Sequence, residues 1–293
     1  MNIKKIIKYF IPEIISQKYS EFKYLKQRVE FLEKEKKNRW LLEKIPNLKD
    51  QKHILRLNEF SVYSQNGEDG ILNYIFSKIK NKNKTFIEFG VEDGKECNTA
   101  NLSINFGWNG LLIEGDKKMA LKTKEFYKDL PVKVVNQFVT KANINNIFKE
   151  NGIVGEIDLL SIDIDGNDYW IWKEINAVNP RVVIVEYNCS FGEQNIVIPY
   201  SDSFNRFSKH PSGLYFGASL SSLTKLAKTK KYILIGCDSE GANAFFVRKD
   251  VARGKFKEIS PKEAFYDSGL SKILGNVEKR FDIIKKMPFE KID

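Results

Sequence analysis

Residues 85–98 read TFIEFGVEDGKECN, a pattern typical of a buried strand that runs into a glycine loop and then a helix. Many proteins hold a nucleotide-like ligand on such a loop. The loop glycines are Gly90 and Gly94, and Glu92 and Asp93 stand between them. Two acids disfavour a bound phosphate, so the loop raises the question of which other ligand it holds.

Strand-like and helix-like segments alternate along the chain on both sides of this loop. Five short apolar runs are expected to form strands buried on both faces, namely 85–90, 110–116, 131–138, 157–165 and 181–188. Helical stretches fit between them, which predicts a parallel, doubly wound sheet of the Rossmann-like α/β class. The runs 231–237 and 242–248 are joined by a turn and predict a hairpin that closes the sheet.

The net charge of +10 is concentrated in the two ends of the chain. Residues 1–56 carry +8 and residues 251–293 carry +3, which leaves residues 57–250 at −1. We therefore predict three parts: a basic helical N-terminal extension, an α/β body, and a basic, partly helical C-terminal tail. A protein that binds nucleic acid would show its basic patch on the body, so no nucleic-acid partner is expected.

The N-terminal extension is predicted to hold a long charged helix over residues 13–45. Its apolar residues recur at heptad spacing for about two heptads, which favours either a coiled-coil homodimer or packing back on the body. Its positive charge suits docking to an anionic membrane, and the alternative is a solvated helix.

The expected location is the cytoplasm, with peripheral contact at the inner face of the membrane. No segment approaches the roughly 20 apolar residues of a membrane span, and no signal-peptide pattern is present. Three cysteines without a C-x-x-C pair fit a reducing compartment.

Acids or amides end nearly every predicted parallel strand, at the edge where such sheets bind ligands. They are Glu88, Glu114, Asn136, Asp163, Asp165, Glu186 and Asn188. This edge repels phosphate and favours a cation or a polyhydroxylated ligand. Glu114, at the end of the second strand, suits both hydroxyls of a ribose. S-adenosylmethionine joins a ribose to a sulfonium and an ammonium and has no phosphate, so it is the predicted cofactor.

Six motifs of the body resemble the FkbM-type branch of the class I S-adenosylmethionine-dependent methyltransferases. They read FIEFGVEDG, GLLIEGD, LLSIDIDGNDYWIW, VVIVEYN, YFGASLSSLTKLA and YILIGCDSEGANAFFV, in the order of the family, over roughly residues 60–250. The resemblance implies a seven-stranded sheet with an antiparallel last strand and an O-methyl acceptor. It also implies that Glu88, Gly90 and Gly94 form the cofactor loop and that Glu114 holds the ribose. The middle loop glycine of the family is Glu92 here.

Methyl transfer is predicted at the end of the fourth strand. An aliphatic hydroxyl must lose its proton, so a base or a metal assists. Asp163 and Asp165 are candidate catalytic residues, and Asp163, like Asn136, is also a predicted cofactor contact. The Asp165 turn has a second interpretation, as a helix cap. His210, in a later loop, is a candidate base near pH 7, or else a surface residue.

A magnesium site is also predicted at this edge. Asp163, Glu186 and Asn188 carry the oxygen ligands that Mg²⁺ prefers, on the ends of two neighbouring strands.

The predicted function is therefore S-adenosylmethionine-dependent O-methylation of a small-molecule or glycan acceptor, such as a sugar hydroxyl of a surface glycan or its precursor. Aromatic residues between 200 and 216 suit a sugar ring, so we expect the acceptor to enter there. The alternative is a non-catalytic assembly module that keeps the fold and oligomerises through the N-terminal helix. The intact loop and ribose residues favour the enzyme.

Overall fold

The computed structural model describes residues 50–267 and 274–293, together with Lys26, Val29 and Glu33, which are helical. Internal contacts divide the chain into Met1–Leu48 and Lys49–Asp293. Most of the predicted N-terminal helix, and with it the predicted dimer contact, lies outside the described residues. Among the described helices, none combines the length and apolar character needed to cross a membrane.

The described strands form one large sheet and one small sheet. In chain order they are β1 Thr85–Phe89, β2 Asn109–Glu114, β3 Val132–Asn136, β4 Gly155–Ile162, β5 Val178–Glu186, β6 Ile196–Val197, β7 Tyr232–Cys237, β8 Asn243–Arg248 and β9 Glu290–Lys291. The large sheet has the order β3-β2-β1-β4-β5-β8-β7, and β6 pairs with β9. The strands from β3 to β5 run parallel, while β8 lies antiparallel to both β5 and β7. The predicted seven-stranded, doubly wound sheet is confirmed.

The described helices cover both faces of this sheet. They are α1 Gln51–Asn58, α2 Glu68–Ile79, α3 Ala100–Phe106, α4 Lys117–Phe126, α5 Ile144–Glu150, α6 Asp168–Glu174, α7 Arg206–Lys209, α8 Leu220–Thr229, α9 Lys249–Ala252, α10 Pro261–Ala264 and α11 Val277–Ile284. Ile87 and Phe89 of β1 pack in a cluster with residues of α5, α6 and α8, whereas Phe86 packs with residues of α2 and α3. Both faces of β1 are covered by helices for this reason, and the strand shows no polar alternation.

The sheet order places a crevice above β1 and β4. The chain leaves β1 toward β2 on one side, and it later returns to add β4 on the other side. Loops that leave such a pair in opposite directions open a crevice at the carboxyl ends of the strands. The loop after β1, which contains Gly90 and Gly94, borders this crevice.

Residues 274–293 of the predicted C-terminal tail pack on the segment after β5, whereas α10 packs on β7 and α8. Arg280 of α11 is fully buried, donates to Ser190 Oγ at 3.1 Å and pairs with Asp267. Phe281 and Phe289 stack edge-on against Phe191.

At the other end of the body, α1 packs on β7, and Leu55 is buried there. The predicted boundary between residues 56 and 57 falls within this helix.

Candidate functional site

A cavity of about 980 Å³ lies over the carboxyl ends of β1, β2, β4 and β5. Its walls come from the loops after these strands and from the starts of α2, α4 and β8. Ten Asp and Glu residues line the cavity, against Lys95, Lys122 and Arg206. The strongly acidic edge expected from the sequence is therefore present as one concave surface.

The two loop glycines are required by close backbone and side-chain packing. Gly90 has φ +80°, and a Cβ there would lie 1.4 Å from the carbonyl oxygen of Asp163. Gly94 has φ +79°, and its Cβ would meet Thr123 at 2.7 Å and Tyr127 at 2.9 Å. Gly90 lines the cavity, whereas Gly94 packs against α4 and does not. Gly94 thus allows the loop to pack closely against α4 without contacting the cavity.

Glu92 occupies the left-handed region of backbone conformation, with φ +49°. Glycine adopts positive φ without steric cost, whereas a residue with a side chain does not. The Glu92 N–H donates to Glu114 Oε2 at 2.7 Å, and its carbonyl oxygen accepts from Thr123 Oγ1 at 2.7 Å. The side chain is exposed on the cavity wall.

Glu114 ends β2 with its carboxylate held between two backbone N–H groups. Oε2 accepts from Glu92, and Oε1 accepts from the N–H of Asp116 at 2.8 Å. Each carboxylate oxygen has a second acceptor position, which leaves the group able to bind two ligand hydroxyls. Asn136, a predicted cofactor contact, does not line the cavity. Its amide instead donates to the carbonyl oxygens of Glu114 and Gly115, which supports the end of β2.

Glu88 is buried and holds the start of α3 against β1 and β4. Its carboxylate accepts from the N–H groups of Asn98 and Thr99, the Thr99 hydroxyl and the Ser161 hydroxyl. Burial raises the pKa of Glu88, and the hydrogen bonds from Thr99 and Asn98 oppose that rise. This predicted cofactor contact lies on the cavity wall with both oxygens already bonded to the protein.

Three carboxylates meet at the ends of β4 and β5. Oxygens of Asp163, Asp168 and Glu186 lie within 4.8 Å of one another. Burial, followed by the charges of Asp168 and Asp165, raises the pKa of Asp163 well above its usual value. Burial and the charge of Asp163 do the same to the pKa of Glu186. Burial also raises the pKa of Asp168, to about 6.

The predicted metal ligands are not brought together as a set. The Asn188 side chain accepts from the N–H of Ser190 and donates to the carbonyls of Leu214 and Phe216, away from the cavity lining. Asp168 is the third carboxylate beside Asp163 and Glu186. Its oxygens also accept hydrogen bonds from the N–H groups of Ile164 and Gly166. The sequence shows Asp168 five residues after Asp163, across a Gly-Asn turn.

Asp165 is exposed and pairs with a residue that the sequence analysis did not single out. The Arg206 guanidinium lies 2.7 Å from Asp165 Oδ1 and 3.9 Å from Glu186 Oε1. It also stacks on the ring of Phe216 at 3.6 Å. The aromatic character of residues 200–216 was the only signal that pointed to this loop. Phe204 and Phe207 of the same loop line the cavity.

His210, the predicted base, does not line the cavity. Its Nδ1 lies 2.7 Å from Ser212 Oγ, within the turn that follows α7. The structure therefore does not bring His210 together with Asp163.

Glu68 and Asn243, which the sequence analysis did not assign, are on the cavity wall. The amide Nδ2 of Asn243 donates to Glu68 Oε1 at 2.7 Å.

No protein-family model matches the chain, and a search of curated proteins finds no match. Among solved structures, an S-adenosylmethionine-dependent methyltransferase from Clostridium acetobutylicum is 11% identical, covering 63% of this chain and 92% of that chain at a TM-score of 0.43. An O-methyltransferase from Bacillus cereus in complex with SAH is 13% identical, covering 71% and 94% at 0.41. The N-terminal domain of EvdMO1 with SAH bound is 11% identical, covering 63% and 80% at 0.39.

Proposed function

We propose that this protein is an S-adenosylmethionine-dependent O-methyltransferase. The observation that carries the proposal is the excess of ten acids over three basic residues in a cavity above the glycine loop of a doubly wound sheet. Such a surface attracts a positively charged ligand and repels phosphate. S-adenosylmethionine has two cationic groups and no phosphate.

The residues present fit this cofactor. Glu114 is fixed by two backbone N–H groups and retains acceptor positions for two ribose hydroxyls. Gly90 keeps the crevice beside β4 free of a side chain, and Glu92 and Asp163 add negative charge to its wall. When bound, the cofactor supplies a methyl group that is already activated for transfer.

Transfer to an alcohol also needs a group that takes the hydroxyl proton. Asp163 and Glu186 both line the cavity, and burial raises the pKa of both carboxyl groups. A raised pKa makes the ionised carboxylate a stronger base. We propose Asp163 as the catalytic base.

For the acceptor we propose a sugar hydroxyl of a surface glycan or its precursor. Phe204 and Phe207 give apolar faces beside the acidic wall, a combination that suits a sugar ring and its hydroxyls. The charge of +8 on residues 1–56 would favour an anionic membrane surface, where lipid-linked precursors are found. A magnesium ion stays a prediction, for which Asp163, Asp168 and Glu186 carry suitable oxygen ligands.

Ligand-induced stabilisation tests the cofactor assignment. S-adenosylhomocysteine at about 100 times its dissociation constant should stabilise the protein by about 2.7 kcal/mol, read as a thermal shift. Glu114→Gln should lose most of this shift, because an amide replaces one ribose-binding oxygen. ATP is the matched ligand control: it shares the adenosine, and its phosphates should be rejected by the acidic wall.

Two results would contradict the proposal. No shift with either S-adenosylmethionine or S-adenosylhomocysteine would favour the non-catalytic assembly module. An equal shift with ATP would show that the acidic wall does not select the ligand. Release of S-adenosylhomocysteine across a panel of monosaccharides and sugar nucleotides then tests the acceptor class.

A further inference from the structure

Two buried oxygen atoms on the cavity wall have no hydrogen-bond partner among the described residues. They are Glu186 Oε2 and Asn243 Oδ1. Asn243 is 4% exposed, the Glu186 side chain is 14% exposed, and both residues line the cavity. A buried polar atom without a partner is destabilising, so two of them at one wall indicate a ligand that completes their bonding.

The two atoms belong to neighbouring side chains. Glu186 of β5 and Asn243 of β8 are direct partners in the antiparallel ladder. Side chains at directly opposed positions lie on the same face of a sheet, with Cβ atoms about 4.5–5.5 Å apart. The orphaned oxygens can therefore contact one ligand.

The orientation of the Asn243 amide is set by Glu68. Glu68 Oε1 accepts from Asn243 Nδ2 at 2.7 Å, and Glu68 Oε2 accepts from the N–H of Asn66 at 2.8 Å. Since the Glu68 carboxylate faces donors, the amide nitrogen points to it and the amide oxygen is left over. Asn243 Oδ1 is thus an acceptor, as is Glu186 Oε2 in the ionised carboxylate, and a ligand that pairs with both supplies O–H or N–H donors.

This pair lies apart from the ribose and glycine-loop contacts proposed for the cofactor, and Asp163 at the end of β4 lies between them, within 4.8 Å of Glu186. Glu114 ends β2 and Gly90 follows β1, whereas β5 and β8 are the second and third strands from β1 on the other side. At a spacing of about 4.8 Å between strands, the pair is roughly 10–14 Å from the β1 loop across the crevice. A donor bound there belongs to a second ligand.

We propose that Glu186 and Asn243 bind hydroxyl groups of the methyl acceptor, which is accordingly a polyhydroxylated molecule. This inference rests on the proposed function for the role of that ligand. It assigns Asn243 as a specificity residue, with Glu68 holding its amide in place.

The first test is the thermal stability of the unliganded protein with Glu186→Gln. Glutamine has nearly the same shape, and its amide nitrogen can donate a hydrogen bond to Asn243 Oδ1 or to the Asp163 carboxylate. We expect the melting temperature to rise by about 2–4 °C in calorimetry near pH 8, as happens when a ligand-binding group is relieved of an unmet bond. The dissociation constant of S-adenosylhomocysteine should stay within about threefold of wild type.

Glu88→Gln is the matched control. It replaces another buried carboxylate of the same cavity, but both Glu88 oxygens already have protein donors. Its melting temperature should fall, which excludes a general benefit from removing negative charge.

A melting temperature that stays the same or falls in Glu186→Gln overturns the proposal. A larger loss of S-adenosylhomocysteine affinity also overturns it, because the bound donor is then the ammonium of the cofactor. If wild type does not bind S-adenosylhomocysteine at all, the proposed function fails. The melting temperatures of the two variants still test whether Glu186 Oε2 and Asn243 Oδ1 form a ligand-binding site.

A second test uses the sugar that releases most S-adenosylhomocysteine in the wild-type panel assay. Asn243→Leu keeps a similar shape but removes both the amide oxygen and the amide nitrogen, so the KM for that sugar should rise by about tenfold or more. Affinity for S-adenosylhomocysteine should be retained. An unchanged KM, or a panel in which no polyhydroxylated compound is methylated, overturns the assignment.

Discussion

Glu92 combines an unfavourable backbone conformation with a charged side chain at the cavity wall. A left-handed conformation costs an ordinary residue about 1–2 kcal/mol, and Glu92 adopts φ +49°. Its hydrogen bonds to Glu114 and Thr123 hold it there. Asp165, on the opposite loop, has φ +55°. Strain of this kind gathers at functional sites, where the surrounding structure enforces it.

Replacing Glu92 with glycine should therefore stabilise the protein. Relief of the left-handed strain outweighs the added freedom of glycine in the unfolded chain, and we expect a gain of up to about 1 kcal/mol in the free energy of unfolding. Glu92→Ala is the control, because it removes the charge and keeps the strain. If chemical denaturation shows the same gain in both variants, charge and not conformation is responsible.

At Asp163 we expect chemistry rather than stability to depend on the carboxylate. Asp163→Ala should keep the fold and should lower turnover by about 10²–10⁴-fold, the usual contribution of a general base. Turnover is followed as S-adenosylhomocysteine release with an accepted sugar. A variant that turns over at the wild-type rate would remove Asp163 from the mechanism.

The β7–β8 hairpin is closed by a single buried carboxylate. Asp238 accepts from the N–H groups of Ala242 and Asn243, at the turn that also positions Asn243 on the cavity wall. Burial, followed by the charge of Glu68, raises the pKa of Asp238 from 3.8 to about 8. The hairpin therefore holds a proton that an unfolded chain would release near pH 4.

A folded-state pKa above the unfolded value fixes the direction of the pH dependence. The stabilising contribution of Asp238 is fully present below pH 3.8 and is lost as the pH rises through about 8. We expect the melting temperature to fall between about pH 4 and pH 8, and Asp238→Asn to flatten that fall even if it lowers stability overall. Equal slopes in the two proteins would show that other groups dominate.

The long strands and helices of the fold are predictable from local sequence, whereas the contacts between site residues on different strands are not. Five apolar runs without polar alternation correctly indicate β1 to β5, because strands covered on both faces need no polar side. The predicted fourth strand runs to residue 165, but β4 ends at Ile162, where the chain turns toward the cavity. Strand-end acids are likewise visible one by one.

What local sequence cannot show is which strands become neighbours. Glu186 meets Asn243 only because β8 enters the sheet between β5 and β7. The same holds for β6 and β9, which are two residues each and pair from distant parts of the chain. Asn188 shows the reverse error: its position at a strand end is right, but its side chain turns to the carbonyls of Leu214 and Phe216.

At the scale of the whole molecule, residues 274–293 pack against the segment between β5 and α8. Ile284 of α11 packs in a cluster with Phe191, Ile198 and Tyr215. Deletion of residues 274–293 would expose this cluster and remove the buried Arg280, which pairs with Asp267. We expect a large fall in melting temperature, measured by circular dichroism. A deletion variant as stable as the full chain would contradict this role.

The N-terminal residues should behave in the opposite way. Because Met1–Leu48 and Lys49–Asp293 are separate in their internal contacts, residues 49–293 alone should keep the melting temperature and S-adenosylhomocysteine affinity of the full chain. The deletion removes most of the basic extension, so binding to vesicles that contain anionic lipid should be lost, and binding of the full chain should weaken with salt. Neutral vesicles are the control in a flotation assay. Retained binding by residues 49–293 would place the membrane contact on the body, whereas a loss of S-adenosylhomocysteine affinity would make the extension part of the site.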